Sequence, residues 1–306
     1  MNTNELNITN SRHNIKLIGE KDRIVMANLP SDDWHYDCAW FSLIDTHGRE
    51  TNSARVVKYK GRLTFNVPYA PPGQYRLQCL FQASPHGGSF TGSKENICLV
   101  IGSDRMVRFE SSPVYEHNVQ FFGKLRTDLA TIERCKQIPP GDNAAIIKKA
   151  YEITRGCLTD YSKALAIHDW IADNIYYDLD SYTSGRICYA KLGNASEVFS
   201  SKLAVCSGYS DLTRLMLRAV GIPAMTISCY ALGRSTAQKW TSDNIKQGSN
   251  HAITLAFIQK RWIIIDTTWD SGNKYQNGKF QQKGGTSHRY FDSTLQYFSS
   301  THKFCA

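Results

Sequence analysis

The chain has 306 residues, 42% of them hydrophobic, with 36 basic against 27 acidic side chains for a formal charge of +9. That is enough apolar material for one sizeable core and more naturally two. No run of about 18 uncharged apolar residues offers a membrane span, and no basic start followed by an apolar stretch marks an export signal. The nine cysteines (38, 79, 98, 135, 157, 188, 206, 229, 305) are odd in number and never in C-x-x-C spacing. They argue against a disulfide framework and against a zinc site, so reduced thiols and a cytoplasmic location are expected. Up to residue 125 there are 14 Lys/Arg against 12 Asp/Glu, leaving 22 against 15 beyond it. The positive charge is therefore spread along the chain, and with no basic block or nucleic-acid-binding signature, nucleic acid is not expected as a partner.

From residue 13 to about 110, short segments rich in Val, Ile, Tyr, Phe and Trp are separated by turn residues. "NIKLIG", "RIVMANL", "HYDCAWFSLI", "ARVVKY", "RLTFNV", "QYRLQCLFQA", "NICLVIG" and "RMVRFE" are the expected strands. The apolar residues of "AWFSLIDTHG" and "GQYRLQCLF" alternate, as they do when one sheet face meets a core and the other meets water. An all-β, immunoglobulin-like sandwich over residues 1–112 is the expectation.

From about residue 113 the apolar period changes from two to near 3.6. "EHNVQFFGKLRTDLATIERC" reads as one amphipathic helix in a helical connection over 113–140, and "DNAAIIKKAYEITRGC" as a second helix, opened by Asp142. In "TDYSKALAIHDWIADNIYYDLD", Thr159 is the expected cap and Leu165, Ile167, Ile171 and Ile175 the buried stripe. His168 reads as a packing residue and His288 as a solvated one. "SYTSGRICYAKLGNAS" reads as a loop leading to the short helix "SEVFSSK". "AVCSGYSDLTRLMLRAVGIPA" is a helix entered at or just before Cys206, with Leu212, Leu215, Met216, Ala219 and Val220 inward, stopped by Gly221 and Pro223. Strand-like "AMTISCYAL", "HAITLAFI" and "WIIIDTTWD" follow, the first two separated by the polar loop "GRSTAQKWTSDNIKQGS". Residues 141–306 thus read as an α+β domain.

A thiol is a strong nucleophile only as thiolate, and a helix N-terminus favours that anion. Cys206 sits where this help is available. Gly208, two residues on, would let a substrate backbone approach the sulfur. His251 opens one strand and Asp266 closes the next, so antiparallel pairing sets an imidazole beside a carboxylate at one sheet edge. If the helix end packs across that edge, a Cys206–His251–Asp266 triad results.

These residues resemble the transglutaminase-like superfamily of papain-type thiol enzymes. The likeness lies in the run around Cys206, in His251 of "NHAITLAF", in Asp266 of "IDTTWD", in the upstream "KALAIHDWIADNIYYD" and in the downstream "YFDSTLQYFSSTHK". It covers roughly residues 140 to 303 and does not include the N-terminal β-domain. Ile253, Thr267 and Ser210 stand where members often carry Trp, Pro and Ala.

The resemblance implies that Cys206 attacks a carboxamide carbon, His251 handles the proton and Asp266 holds the imidazole, through an acyl-thioester. The Cys206 backbone N–H is one oxyanion donor, and Tyr189 or Asn194 a second. Gly208, Tyr209, Trp269 and Trp240 are the expected groove residues, with the polar loop around Trp240 as a gate. Peptide or protein substrates, no metal and no cofactor are implied. Hydrolysis is the first expectation. Protein transamidation or deamidation is the alternative, and a silent binding scaffold the non-enzymatic one.

Overall fold

The computed structural model describes residues 2–9, 14–82, 88–91, 97–110, 112–233 and 239–305. The chain divides into two compact units, Met1–Val119 with Thr294–Ser300, and Gln120–Ser293 with Thr301–Ala306. Among the described residues no helix is long and apolar enough to cross a membrane.

Among the described residues the first unit holds two antiparallel sheets. The larger runs Asn2–Thr3, Val107–Glu110, Ile97–Ile101, Gly73–Gln82, Cys38–Asp45, Glu50–Val57, with Phe90–Thr91 added beside Gly73–Gln82. The smaller runs Glu5–Thr9, Asn14–Glu20, Arg23–Ala27, Leu63–Asn66. Leu17, Ile24 and Phe65 of the smaller sheet share one core with Phe41, Leu77 and Leu99 of the larger, and Phe41 stacks on Phe65 with centroids 5.4 Å apart. A Cβ on Gly19 would lie 2.1 Å from the Val107 carbonyl oxygen, so only glycine permits this approach. The two strands before residue 13 have no place in the sequence reading. Glu5–Thr9 is short and half polar, and its pairing to Asn14–Glu20 is a tertiary event.

The second unit mixes helices with a central antiparallel sheet ordered Arg261–Ile265, His251–Ile258, Ala224–Ala231, His302–Phe304. The helix Cys206–Ala219 packs on this sheet through Leu212, Leu215 and Met216, in one core with Ile167, Ile171 and Ile263. It ends as its glycine requires: Gly221 has φ +83°, and the N–H of Ile222 reaches back to the Leu217 carbonyl at 2.9 Å. Thr159 caps the helix Asp160–Asn174 in a reciprocal capping box with Ser162.

Three sequence expectations are corrected here. The single helix expected over "EHNVQFFGKLRTDLATIERC" is two, Pro113–Gly123 and Leu129–Lys136, because the Asp128 carboxylate accepts from Thr131 N–H and starts a new helix. Asn143, not Asp142, holds the cap position of Ala144–Ile153, with its side-chain amide donating to the Pro139 carbonyl at 2.9 Å. The segment read as a loop from Ser181 contains the end of the short helix Leu179–Thr183, capped by the Asp178 carboxylate, and the short helix Tyr189–Leu192.

Candidate active site

Cys206 is the first residue of its helix, so its backbone N–H is among those the helix leaves without an internal partner. Two buried hydroxyls hold that helix in place. Ser210 Oγ donates to the Ile253 carbonyl at 2.7 Å, and Thr213 Oγ1 lies 3.1 Å from Thr267 Oγ1. The first tie reaches the strand that His251 opens; the second reaches the turn that follows Asp266.

The strand pair Thr254↔Ile265 through Ile258↔Arg261 turns at Gln259 and Lys260, both at positive φ. This hairpin carries the start of one strand back beside the end of the other. His251 Nε2 consequently lies 2.8 Å from Asp266 Oδ2. A carboxylate can only accept, so Nε2 carries the hydrogen and Nδ1 is left for the thiol. The Cys206 thiol interacts with His251 and with the Ala252 backbone N–H. Asp266 has a second duty: it caps the short helix Thr267–Asp270, its Oδ1 accepting from Trp269 N–H at 3.1 Å.

The electrostatics follow from this line of contacts. Burial alone would raise the Cys206 thiol, but the His251 hydrogen bond and charge, with the Ala252 N–H, bring it below the usual thiol value. Burial alone would lower His251, yet the Asp266 charge and hydrogen bond, followed by Cys206, push it up to about 10. For Asp266 burial opposes ionisation and His251, then His302, overcome it, holding the carboxyl well below the usual carboxylate range. By contrast Cys98, Cys135, Cys229 and Cys305 are all pushed up by burial.

A cavity of about 390 Å³ opens beside His251, lined by Tyr177, Leu179, Tyr182, Asn250, Trp269 and Lys274 among others. Of the expected groove residues it includes Trp269. Gly208 faces inward: a Cβ there would lie 2.0 Å from the Leu192 carbonyl oxygen, so its glycine serves helix packing rather than access to the sulfur. Tyr209 is buried, its hydroxyl donating to the Ile175 carbonyl at 2.7 Å. Trp240 packs on Tyr230, ring centroids 6.2 Å apart, and is not among the cavity's lining residues; residues 234–238 of its loop lie outside the described residues.

The two expected oxyanion side chains stand as follows. Asn194 Oδ1 accepts from Ser196 and Glu197 N–H as the cap of Ala195–Ser201, and Tyr189 is 63% exposed. A phenol that feels the Cys206 charge is Tyr177. Its strand pairs in parallel with Leu203–Ala204, Tyr177 opposite Ala204, two residues before Cys206. Burial first and the Cys206 charge next push its hydroxyl up, so it stays protonated. His302, from the last strand, is a further residue that the sequence leaves unassigned; its Nε2 lies 3.4 Å from Asp266 Oδ2. Neither had a local signal: the first was hidden among tyrosines in "IYYD", the second in a short C-terminal strand.

Among the described residues two groups of donors are compact enough to consider for a metal ion, His168 with Asp169 and His288, and His251 with Asp266 and His302, each with its atoms within 4.8 Å of one another. Hydrogen bonding accounts for the first group and for the His251–Asp266 pair of the second. His168, fully buried as expected, has Nδ1 2.9 Å from Asp169 Oδ1 and Nε2 3.2 Å from Asp270 Oδ2, while His288 Nε2 reaches Asp169 at 2.7 Å. His288 is thus half-exposed yet paired, which its solvated reading did not include.

Residues 147–267, which include Cys206, His251 and Asp266, match the family model of the transglutaminase-like superfamily. The second unit therefore carries the core of that superfamily. Kyphoscoliosis peptidase of Homo sapiens is 27% identical over 116 residues, 37% of this chain and 16% of that protein. Its Mus musculus counterpart is 26% identical over 117 residues, with the same coverage of 37% and 16%, so the match takes in 16% of either curated relative's length. Among solved structures, the periplasmic domain of TgpA from Pseudomonas aeruginosa is 12% identical with a TM-score of 0.35, covering 78% of this chain and 89% of that one. The family match carries the assignment.

Proposed function

We propose that the second unit is a thiol enzyme acting on amide bonds of peptides or proteins, with Cys206 as nucleophile, His251 as acid and base, and Asp266 as the carboxylate that orients the imidazole. The observation that carries this reading is the continuous line of contacts from Asp266 Oδ2 through His251 to a thiol at a helix N-terminus. The thiolate attacks the carbonyl carbon of the amide, and the imidazolium gives its proton to the departing amine. Expulsion of that amine leaves an acyl-thioester. Neutral His251 then takes a proton from water, whose oxygen attacks the thioester and frees Cys206. The Cys206 backbone N–H and the Tyr177 hydroxyl are the two donors to the oxyanion.

Water as acceptor is the first choice, supported by the word peptidase in the names of the curated relatives. On this reading residues 141–306 form the catalytic domain, 113–140 the connection, and the two-sheet unit before it an immunoglobulin-like sandwich.

The test is incubation with a peptide library, read by product mass, for the native chain and for Cys206→Ala and His251→Ala. New chain termini that vanish in both variants are expected. Mass gain from an added primary amine would replace hydrolysis by transamidation. No product, together with iodoacetamide alkylation of Cys206 no faster than that of exposed Cys98 and Cys188, would leave a silent scaffold and overturn the reading.

A further inference from the structure

We propose that the cavity beside His251 selects peptides in which a bulky apolar residue has an acidic one within about three residues of it, and that Lys274 reads the acid. The inference rests on the catalytic reading above and names its substrate class. Leu179, Tyr182 and Trp269 wall the cavity, and Tyr182 meets Tyr177 edge-on with centroids 5.7 Å apart. Walls of this kind take a large apolar side chain out of water, while the few polar groups among them set specificity. Among the described residues that line the cavity there is no Asp or Glu, and Lys274 supplies the ammonium.

A small sheet places that ammonium, its strands ordered Leu203–Ala204, Tyr176–Asp178, Lys274–Gln276, Lys279–Gln281. Ala204 pairs with Tyr177, Tyr177 with Lys274 and Lys274 with Gln281, so these side chains share one face. Aromatic packing takes the other face, where Tyr176 and Tyr275 each meet Phe280 edge-on with centroids 4.9 and 5.0 Å away. Adjacent strands lie about 4.8 Å apart, so Lys274 stands roughly 10 Å from Ala204, the residue but one before Cys206. An extended peptide rises about 3.3 Å per residue and covers that span in about three. The strand is anchored by Asn273, whose amide donates to the Ala172 and Asp173 carbonyls and whose side-chain oxygen accepts from Lys283 N–H. Lys274 itself is exposed, and among the described residues it forms no ion pair. Asp180, an acid on the helix Leu179–Thr183, is turned to the end of the hairpin, its oxygens accepting from Asn277 and Gly278 N–H at 2.8 and 3.0 Å. An ammonium left without a partner at an apolar cavity attracts a carboxylate and repels a second ammonium, so it sorts peptides by sign. Lys279, opposite Gln276 on the same face, adds to that field.

Peptides with one large apolar residue and either Asp or Lys, stepped through the neighbouring positions on both sides of it, test this on the full chain. At the best position the native kcat/KM should favour Asp over Lys about tenfold at low salt, one attraction and one repulsion at a solvent-open site. Added salt should shrink that ratio. Lys274→Glu is expected to reverse the preference and Lys274→Arg to keep it. A native ratio within about twofold of unity at every position, or the native ratio retained in Lys274→Glu, overturns the proposal. Affinities of the same peptides, fluorescently labelled, are then read by anisotropy on the Cys206→Ala chain, which lacks the thiol. The Asp peptides should bind more tightly by a similar factor, and equal affinities defeat the proposal. Because this second measurement needs no turnover, a native chain that cleaves none of the peptides brings down the catalytic reading alone, and the affinities still decide the role of Lys274.

Discussion

Ser210 Oγ donates to the Ile253 carbonyl across 2.7 Å, one turn along the helix from Cys206 and two residues along the strand from His251. The same hydroxyl lies 3.1 Å from Thr254 Oγ1, and Thr254 Oγ1 donates to the Ser210 carbonyl. A polar residue at a site flanked by apolar contacts thus sets the distance between thiol and imidazole.

Ser210→Ala should cost about 1–2 kcal/mol, because a buried carbonyl loses one of its donors and a small void is left. Urea unfolding should show a lower midpoint at unchanged slope. Thr213→Val, which breaks the tie to Thr267, should behave alike. A midpoint within error of the native one in both variants would mean that the hydroxyls are incidental.

The pH response of the proposed nucleophile follows from the two shifts. Cys206 is lowered and His251 raised to about 10, so thiolate and imidazolium coexist from below the ordinary thiol pKa up to about 10. Alkylation of Cys206 should saturate at a lower pH than that of Cys98. A raised basic group stabilises the fold fully below its unfolded pKa and loses that contribution as pH rises through the folded one. The stability difference between the native chain and His251→Gln should therefore shrink as pH rises above 6.5 and level off once pH passes about 10. A difference that stays constant from neutral pH to beyond that point would contradict the ion pair.

Much of the second unit was legible because its signals are local. The capping box at Thr159, the glycine stop at Gly221 and the spacing of His251 and Asp266 about a tight turn each act within a few residues. What escaped depends on contacts between distant segments. Gly208 reads in sequence as room for substrate, but the Leu192 carbonyl fills that room. Tyr209 beside it reads as groove wall, yet its hydroxyl finds Ile175 in the core. Likewise the helix break at Asp128 falls inside an unbroken apolar period, where one cap outweighs the pattern.

Gly208→Ala should accordingly damage folding rather than specificity. The added carbon meets backbone at Leu192 and the Val198 side chain at 2.8 Å, and neither helix can give way without moving Cys206. Loss of about 2–3 kcal/mol or more is expected from such overpacking, read as a fall in melting temperature. A variant as stable as the native chain would restore the view that this glycine faces open space.

Tyr177→Phe separates an oxyanion role from a packing role, since the ring and its place beside Ala204 are retained. Turnover of a cleavable peptide should fall about 10²-fold or more, the scale seen when one oxyanion donor is removed. Thiol alkylation passes through no oxyanion and should keep its rate. Equal loss in both assays would show that the phenol supports the thiolate instead.

Asp266→Asn and Asp266→Ala divide the two duties of this carboxylate. The Asn side chain can keep its oxygen on Trp269 N–H and so preserve the cap of Thr267–Asp270. Its amide then turns toward His251 Nε2, which must accept rather than donate, and the ring's hydrogen moves to Nδ1, facing the sulfur. With the wrong nitrogen protonated the imidazole cannot take a proton from water, and no anion remains to hold it cationic. Turnover should drop on the order of 10³–10⁴-fold, as in other triads carrying this change, while the helix cap is kept. Asp266→Ala loses the cap too, at a further cost of about 1 kcal/mol. If Asn and Ala variants are equally stable and equally inactive, the cap contributes nothing; if Asn keeps near-native turnover, the carboxylate charge is not what orients His251.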